Sequence, residues 1–327
     1  MLKAVQAFLN PQRGGFRRFA LLTCCLAPLS PAIAQDAPLP QRVEVIIADL
    51  SNPFFSHLAR QIEARLNIVA PQAEVVVRSS GYDLNRQRQQ LRDAVANGAD
   101  FLIINAVNTS ALTEVIAEAR AKRIPVIAVD VEAEGADLVV TSDNIEAGRA
   151  ACAFIAERLA GKGNVLILYG PPVSAVLHRN EGCQKALSSY PEITLLSEHG
   201  DSGGSRLGGL TYMSSLLPRL PHIDAVFSFN DPTSLGVMQA AREAGRDEFF
   251  IVSVDASPEG LRAMMEPGSL LAASVAQHPK VMADEAVAAG LALWRGEDLA
   301  QRSISVPVQL LTREMVVTGK DYWMAAP

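Results

Sequence analysis

The chain of 327 residues is 49% hydrophobic and 20% charged, with 22 glycines and 19 prolines spread along it, a balance that excludes collagen-like, disulfide-scaffold and long disordered chains. At this length it holds about two domains of roughly 100–200 residues, each able to bury a core without metal or disulfide staples. A formal net charge of -6, with no basic stripe, argues against a nucleic-acid binder that neutralises phosphates.

Residues 1–34 carry Lys3, Arg13, Arg17 and Arg18 and no acidic residue. An apolar run from Phe19 to Ala27 is followed by Ala32-Ile33-Ala34, an A-x-A cleavage pattern. The segment reads as an export signal cleaved after Ala34, leaving Gln35 at the mature N-terminus of a periplasmic protein. Its apolar run is about half of the roughly 20 residues that a membrane span requires. Cys24 and Cys25 lack the small preceding residue that lipid attachment prefers, and Arg17-Arg18 supports a twin-arginine route only weakly. Cleavage leaves 25 basic against 35 acidic residues. Only Cys152 and Cys183 then remain in an oxidising compartment. Both fall in segments that read as helices of one lobe, and they are expected as two buried thiols acting as small hydrophobes, with a single bridge as the alternative. There is no CxxC, and His57, His178, His199, His222 and His278 never approach zinc-ligand spacing, so neither a metal nor a cofactor is expected.

From residue 43 onward, short β-branched runs alternate with helical patterns, the signature of parallel sheets covered by helices. The predicted strands are residues 43–49, 75–78, 101–104, 126–129, 164–168, 193–196, 225–229, 249–254 and 271–276. Their near-continuous hydrophobicity suits strands buried on both faces. Between the first two, Phe55, Leu58, Ile62, Leu66 and Val69 mark one face of a helix. Asn52 can cap it, with Pro53 where a missing N–H costs nothing.

The pattern repeats. A strand ends at Asn105, Thr109-Ser110 precedes a helix, and the next strand ends at Asp130; a later strand ends at Asn230, Thr233-Ser234 follows, and the next strand ends at Asp255. The equal Asn-to-Asp spacing implies two lobes of one design, each presenting an Asn and an Asp at the carboxyl edge of its sheet, where open α/β sheets bind ligands. The competing reading is that these residues only cap the helices that follow.

Amide and carboxylate groups that donate and accept several hydrogen bonds match clustered hydroxyls. Phe54 and Phe55 stand at the same edge, able to lie against the C–H face of a sugar or polyol. Phe55 begins the apolar stripe and reads as half core, which makes Phe54 the better ligand candidate. Arg179 is placed to neutralise a carboxylate when the site closes, and Gln277 ends the last strand of the second set.

The stretches Ser51-Asn-Pro-Phe-Phe, Leu102-Ile-Ile-Asn, Pro125-Val-Ile-Ala-Val-Asp, Thr141-Ser-Asp-Asn, Arg179-Asn-Glu-Gly, Val226-Phe-Ser-Phe-Asn-Asp, Val252-Ser-Val-Asp and Ala276-Gln-His-Pro resemble, in this order, the type I periplasmic sugar-binding proteins, the ribose-binding group in particular. The resemblance covers essentially the whole mature chain. It implies two similar α/β lobes of Rossmann type, joined by a three-crossing hinge and closing over a sugar in the cleft between them. The expected lobes are residues 42–142 with 278–308, and 143–277 with 309–320. Asn52, Phe54, Phe55, Asn105, Asp130, Arg179, Asn230, Asp255 and Gln277 stand at the family's ligand-contact positions. The implied partners are a hydroxylated small molecule and the membrane permease of an ABC importer with its ATPase; the protein itself is expected as a monomer that binds no nucleic acid. Two positions depart: Val131 follows Asp130 where the ribose-like pattern has Arg, and Gly204 aligns with the second-lobe aromatic. These departures imply a roomier, less polar pocket and a ligand other than plain ribose.

Other classes fit less well. Asp130 and Asp255 as a glycosidase pair would sit inside a symmetric hydroxyl-binding set. No nucleophile elbow, P-loop or dinucleotide fingerprint occurs, and the Gly161-Lys-Gly turn precedes its strand rather than following one. A repressor of the same two-lobe design needs a helix-turn-helix where residues 1–40 supply a signal-like segment. A periplasmic sensor that signals to a membrane receptor remains the alternative to import.

Overall fold

The computed structural model describes residues 39–196 and 200–318. The expected export signal with its cleavage site, Cys24, Cys25 and His199 lie outside the described residues, as does the end of the expected second lobe, residues 319–320.

The first half runs β1 (Arg42–Ile47), α1 (Pro53–Val69), β2 (Glu74–Ser79), α2 (Leu84–Ala96), β3 (Phe101–Ile104), α3 (Thr113–Ala121), β4 (Val126–Val129) and β5 (Leu138–Ser142). The second runs α4 (Asn144–Arg158), β6 (Lys162–Ile167), α5 (Ser174–Leu187), β7 (Glu192–Leu196), α6 (Arg206–Leu216), β8 (Ala225–Phe227), α7 (Asp231–Ala244), β9 (Phe250–Asp255), α8 (Pro258–Met265) and β10 (Leu271–Ala276). Four elements follow: α9 (Pro279–Trp294), β11 (Ser303–Val306), β12 (Gln309–Thr312) and α10 (Arg313–Thr318).

The strands form two six-stranded sheets, ordered β11-β5-β4-β3-β1-β2 and β12-β10-β9-β8-β6-β7. All neighbours pair in parallel except β10 with β12. The apolar runs of β3 and β4 are buried along their whole length, as strands sandwiched between helices must be. On one face of the first sheet, Leu58, Ile62 and Leu66 of α1 meet Met282, Ala286 and Val287 of α9. On the other, Leu91 of α2 and Val115 and Ile116 of α3 pack under Ile46, Leu102 and Ile104. The second sheet is covered by α4 and α5 on one side and by α6, α7 and α8 on the other. The chain passes from one sheet to the other three times: between β5 and α4, between β10 and α9, and between β11 and β12.

Three strands escape the sequence pattern. In β5 burial alternates, whereas β11 and β12 are four-residue edge strands with exposed positions, too short and mixed to stand out from loops. The run at 225–229 leaves the ladder at Phe227, which frees Phe229 for another use.

The two mature cysteines are not free thiols. Cys152 of α4 and Cys183 of α5 form a disulfide with Cα atoms 4.9 Å apart, correcting the expectation of two buried thiols. What brings the helices this close is glycine. A Cβ at Gly148 would collide with the backbone carbonyl of Arg179, and one at Gly182 with the carbonyl of Ile145. With a sequence separation of 31, the bridge is worth about 3.7 kcal/mol on the loop-closure estimate. The double variant Cys152→Ala/Cys183→Ala is therefore expected to lose about 3.7 kcal/mol in chemical denaturation; equal stability would show that helix packing alone holds α4 to α5.

Candidate functional site

The carboxyl ends of both sheets face a shared cavity. Every expected ligand residue except Asn105 lines it, and so do Val131 and Gly204. About 70 Å³ is open to the centre of a water-sized sphere. That is several times the roughly 10–15 Å³ needed to admit one water.

Asp130 ends β4 in the left-handed region, at φ +66, and Asp255 ends β9 at φ +116. Such angles cost a non-glycine residue roughly 1–3 kcal/mol and persist where the surroundings enforce them. Both strand ends thus take a positive φ where the chain reaches the cleft. Both carboxylates are buried, but their surroundings differ. Asp255 Oδ1 accepts from Gln277 Nε2 at 2.7 Å, and its Oδ2 accepts from the Asp231 N–H at 3.3 Å. Arg179 Nη1 lies 3.9 Å from Oδ1. Among the described residues, Asp130 Oδ2 accepts only from Asn105 Nδ2 at 3.3 Å, and Oδ1 is buried with no hydrogen-bond partner.

Burial pushes the Asp130 carboxyl up to about 6, against the opposing pull of Arg179 and Asn105. Burial, and then the neighbouring Asp231, push Asp255 up to about 8, with Arg179 and Gln277 opposing. Asp231 is also raised by burial, although Ser257 donates through its N–H and hydroxyl and Ser274 through its hydroxyl.

Arg179 is buried on α5. Its Nε donates to Asn144 Oδ1 and its Nη1 to the Phe229 carbonyl, both at 2.8 Å. Gln277 joins the two lobes at a crossing: while Nε2 holds Asp255, Oε1 accepts from Ser142 Oγ at 2.8 Å. At the opposite sequence boundary of the cleft, the Ser174 N–H donates to Thr109 Oγ1 at 3.2 Å, and Ser174 Oγ accepts from the Glu132 N–H at 2.9 Å.

The asparagines divide between the two readings of the sequence. Asn52 caps α1, its Oδ1 accepting from the Phe54 N–H, and Asn230 caps α7, accepting from the Thr233 N–H. Both also line the cavity. Asn105 neither caps nor lines it. Its Oδ1 accepts from the Ala48 N–H, and its Nδ2 donates to the Val129 carbonyl and to Asp130; it is a positioning residue for the carboxylate.

Phe55 is half core as expected, but Phe54 is the more deeply buried ring. Phe54 is 7% exposed and joins the core with Leu58, while Phe55 is only partly buried. Both still line the cavity, in a row with Tyr82: centroids are 5.9 Å apart for Phe54–Phe55 and 6.5 Å for Phe55–Tyr82. Nor does Gly204 leave the second lobe without a ring. Phe229 lines the cavity, and a Cβ on Gly204 would stand 3.7 Å from its Cε2. Tyr82, Phe229 and Asp231 were not singled out from sequence. The available signal for the last two was the run Ser228-Phe-Asn-Asp, where a strand must end to present Asn230.

A family profile described as a periplasmic binding protein domain matches residues 43–298. The ribose import binding protein RbsB of Bacillus subtilis is 31% identical over 322 residues, covering 96% of this chain and all of that protein. A xylitol-binding protein of Mycolicibacterium smegmatis is 33% identical over 230 residues, 69% of this chain and 65% of that protein. Among solved structures, an ABC transporter solute binding protein from Bacillus halodurans with bound myo-inositol superposes with a TM-score of 0.79 at 24% identity, covering 88% of this chain and 99% of the other, a likeness of fold.

The raised carboxyls set a pH dependence. A carboxyl with a folded pKa above its unfolded value takes up protons on folding, so its stabilising contribution is complete below about pH 4 and is lost as pH rises through the folded value. For Asp130 and Asp255 that loss runs through about 6 and about 8. The thermal midpoint of the ligand-free protein should fall between about pH 5 and pH 8.5, and Asp130→Asn should flatten the lower half of that fall. A midpoint that rises across this range in both proteins would contradict the assignment.

Proposed function

The chain belongs to the periplasmic binding protein family, a family of binding proteins, and we propose that it captures a sugar, polyol or related hydroxylated small molecule for ABC-type import. The observation that carries this reading is the pair of buried carboxylates, Asp130 and Asp255, turned into one cavity from two sheets by positive-φ strand ends. Hydroxyls donate to carboxylates and accept from Arg179, Gln277 and Asn230; the rings of Phe54, Phe55 and Phe229 cover C–H faces. Rotation about the three crossings closes the lobes, 42–142 with 278–308 and 143–277 with 309–320, over the ligand. Import is favoured over sensing by the relatives named as import binding proteins. On this reading the protein is exported, cleaved after Ala34, works as a monomer, and delivers its ligand to a membrane permease coupled to an ATPase.

Calorimetric titration against sugars and polyols tests the reading. Asp130→Ala and Asp255→Ala should each weaken binding by about 2–5 kcal/mol, the usual cost of truncating one member of a buried charged network. Unchanged affinity in both would reduce the carboxylates to structural groups. Because hydroxyl donors favour the ionised carboxylate, ligand binding should release a proton and weaken as pH falls below about 6. Titrations in two buffers of different ionisation enthalpy read that proton directly; proton uptake would contradict hydroxyl donation to Asp130.

A further inference from the structure

The polar groups of the cavity are unevenly spread. Arg179 and Gln277 both reach Asp255, and Asn230 is held separately by the Gly204 carbonyl and the Thr233 N–H, so each of the four has partners already in place. Asp130 stands apart from it by hydrogen bonding, with one buried oxygen unclaimed. The wall that adjoins Asp130 is apolar: Val131, Ala106, Ala175 and Val173 belong to one packed cluster, and all four line the cavity. Neither a donor nor a second acceptor side chain stands among them.

We propose, resting on the hydroxyl-capture reading, that the ligand is amphipathic: it places one hydroxyl on Asp130 Oδ1 and, beside that hydroxyl, a methyl, methylene or alkyl-ether group against Val131 and Val173. The argument is one of satisfaction. A single hydroxyl meets the free oxygen with its one proton. A second hydroxyl next to it would be pressed against valine and alanine, its hydration lost and nothing returned. A carbon substituent in the same place keeps its contacts and loses no hydrogen bond. An ammonium fits less well, since it brings three N–H donors to one open acceptor. The class this defines is a deoxygenated or O-alkylated sugar or polyol, whose fully hydroxylated parent is the weaker ligand.

The test is calorimetric titration of the purified protein with matched pairs: L-mannose and L-rhamnose, D-galactose and D-fucose, L-galactose and L-fucose, and D-ribose and methyl β-D-ribofuranoside, with xylitol and myo-inositol as unpaired probes. At least one deoxygenated or O-methyl compound should bind tighter than its parent by about tenfold or more, the lower end of what one carbon group is worth in an apolar pocket. Val131→Thr, close to isosteric, should narrow that ratio by putting a hydroxyl into the wall. Parents that bind as well as or better than their partners in every pair would overturn the proposal while leaving hydroxyl capture intact, as would an ammonium analogue such as D-galactosamine binding tighter than D-galactose. If no compound binds, hydroxyl capture falls and the proposal with it. A ratio unmoved by Val131→Thr would remove Val131 from the argument and overturn the placement of the substituent.

Discussion

Two buried carboxylates, Asp130 and Asp255, share one guanidinium, a third, Asp231, is buried beside Asp255, and the geometry of the cleft follows from how that imbalance is managed. At 3.9 Å and an effective dielectric of about 20, Arg179 attracts Asp255 by about 4 kcal/mol. Each buried carboxylate loses several kcal/mol of hydration, so one cation cannot compensate three. Burial accordingly wins at Asp130 and Asp255, whose carboxyls are held above their usual range. Asp231 is served by the donors of Ser257 and Ser274. What remains depends on where Arg179 sits, and that is decided outside the cleft. Gly148 and Gly182 let α4 and α5 approach until backbone meets backbone, and the disulfide ties them further along. Asn144, at the start of α4, then reaches Arg179 Nε.

The internal echo survives in the backbone more than in the chemistry. Both strand-end aspartates adopt positive φ, so the repeat has kept the turn that aims a carboxylate at the cleft. The asparagines that precede them have diverged. Asn105 supports Asp130 directly, whereas Asn230 caps α7 and donates to the Gly204 carbonyl. Gln277, from another strand, holds Asp255. The second lobe therefore presents a connected polar network, and the first presents a carboxylate with spare capacity beside an apolar wall.

The alternation of apolar runs with helical stripes made the α/β class legible, because a parallel strand covered on both faces has no polar positions to blur it. β5, β11 and β12 were not legible because polar and apolar residues mix within four or five positions, whereas the edge strands β2 and β7 keep apolar runs in sequence although they are partly exposed. In the site, residues at strand ends were legible because the strand itself announces where it stops. Phe229 was not, since it reads as strand interior until the ladder is seen to end at Phe227. The deeper burial of Phe54 was not legible, because the apolar stripe can be phased from Phe55 as well, while α1 is rotated so that Phe54 joins Leu58 in the core. Disulfide formation depends on a helix–helix distance that two glycines set, and no pattern of cysteine spacing encodes it.

Gln277 gives the cleft a direct tie to its hinge. Its Nε2 donates to Asp255, and its Oε1 accepts from the hydroxyl of Ser142. Ser142 closes β5 and Gln277 follows β10, the last residues of their sheets before two of the three crossings. Any ligand group that competes for Asp255 therefore acts, through two hydrogen bonds, on the segment about which the lobes must rotate. Ser174 makes the complementary tie away from the crossings, to Thr109 and Glu132 of the other lobe. A cavity bounded by these two links has the same groups for recognition and for closure, so the free energy of filling it is spent partly on holding the lobes together.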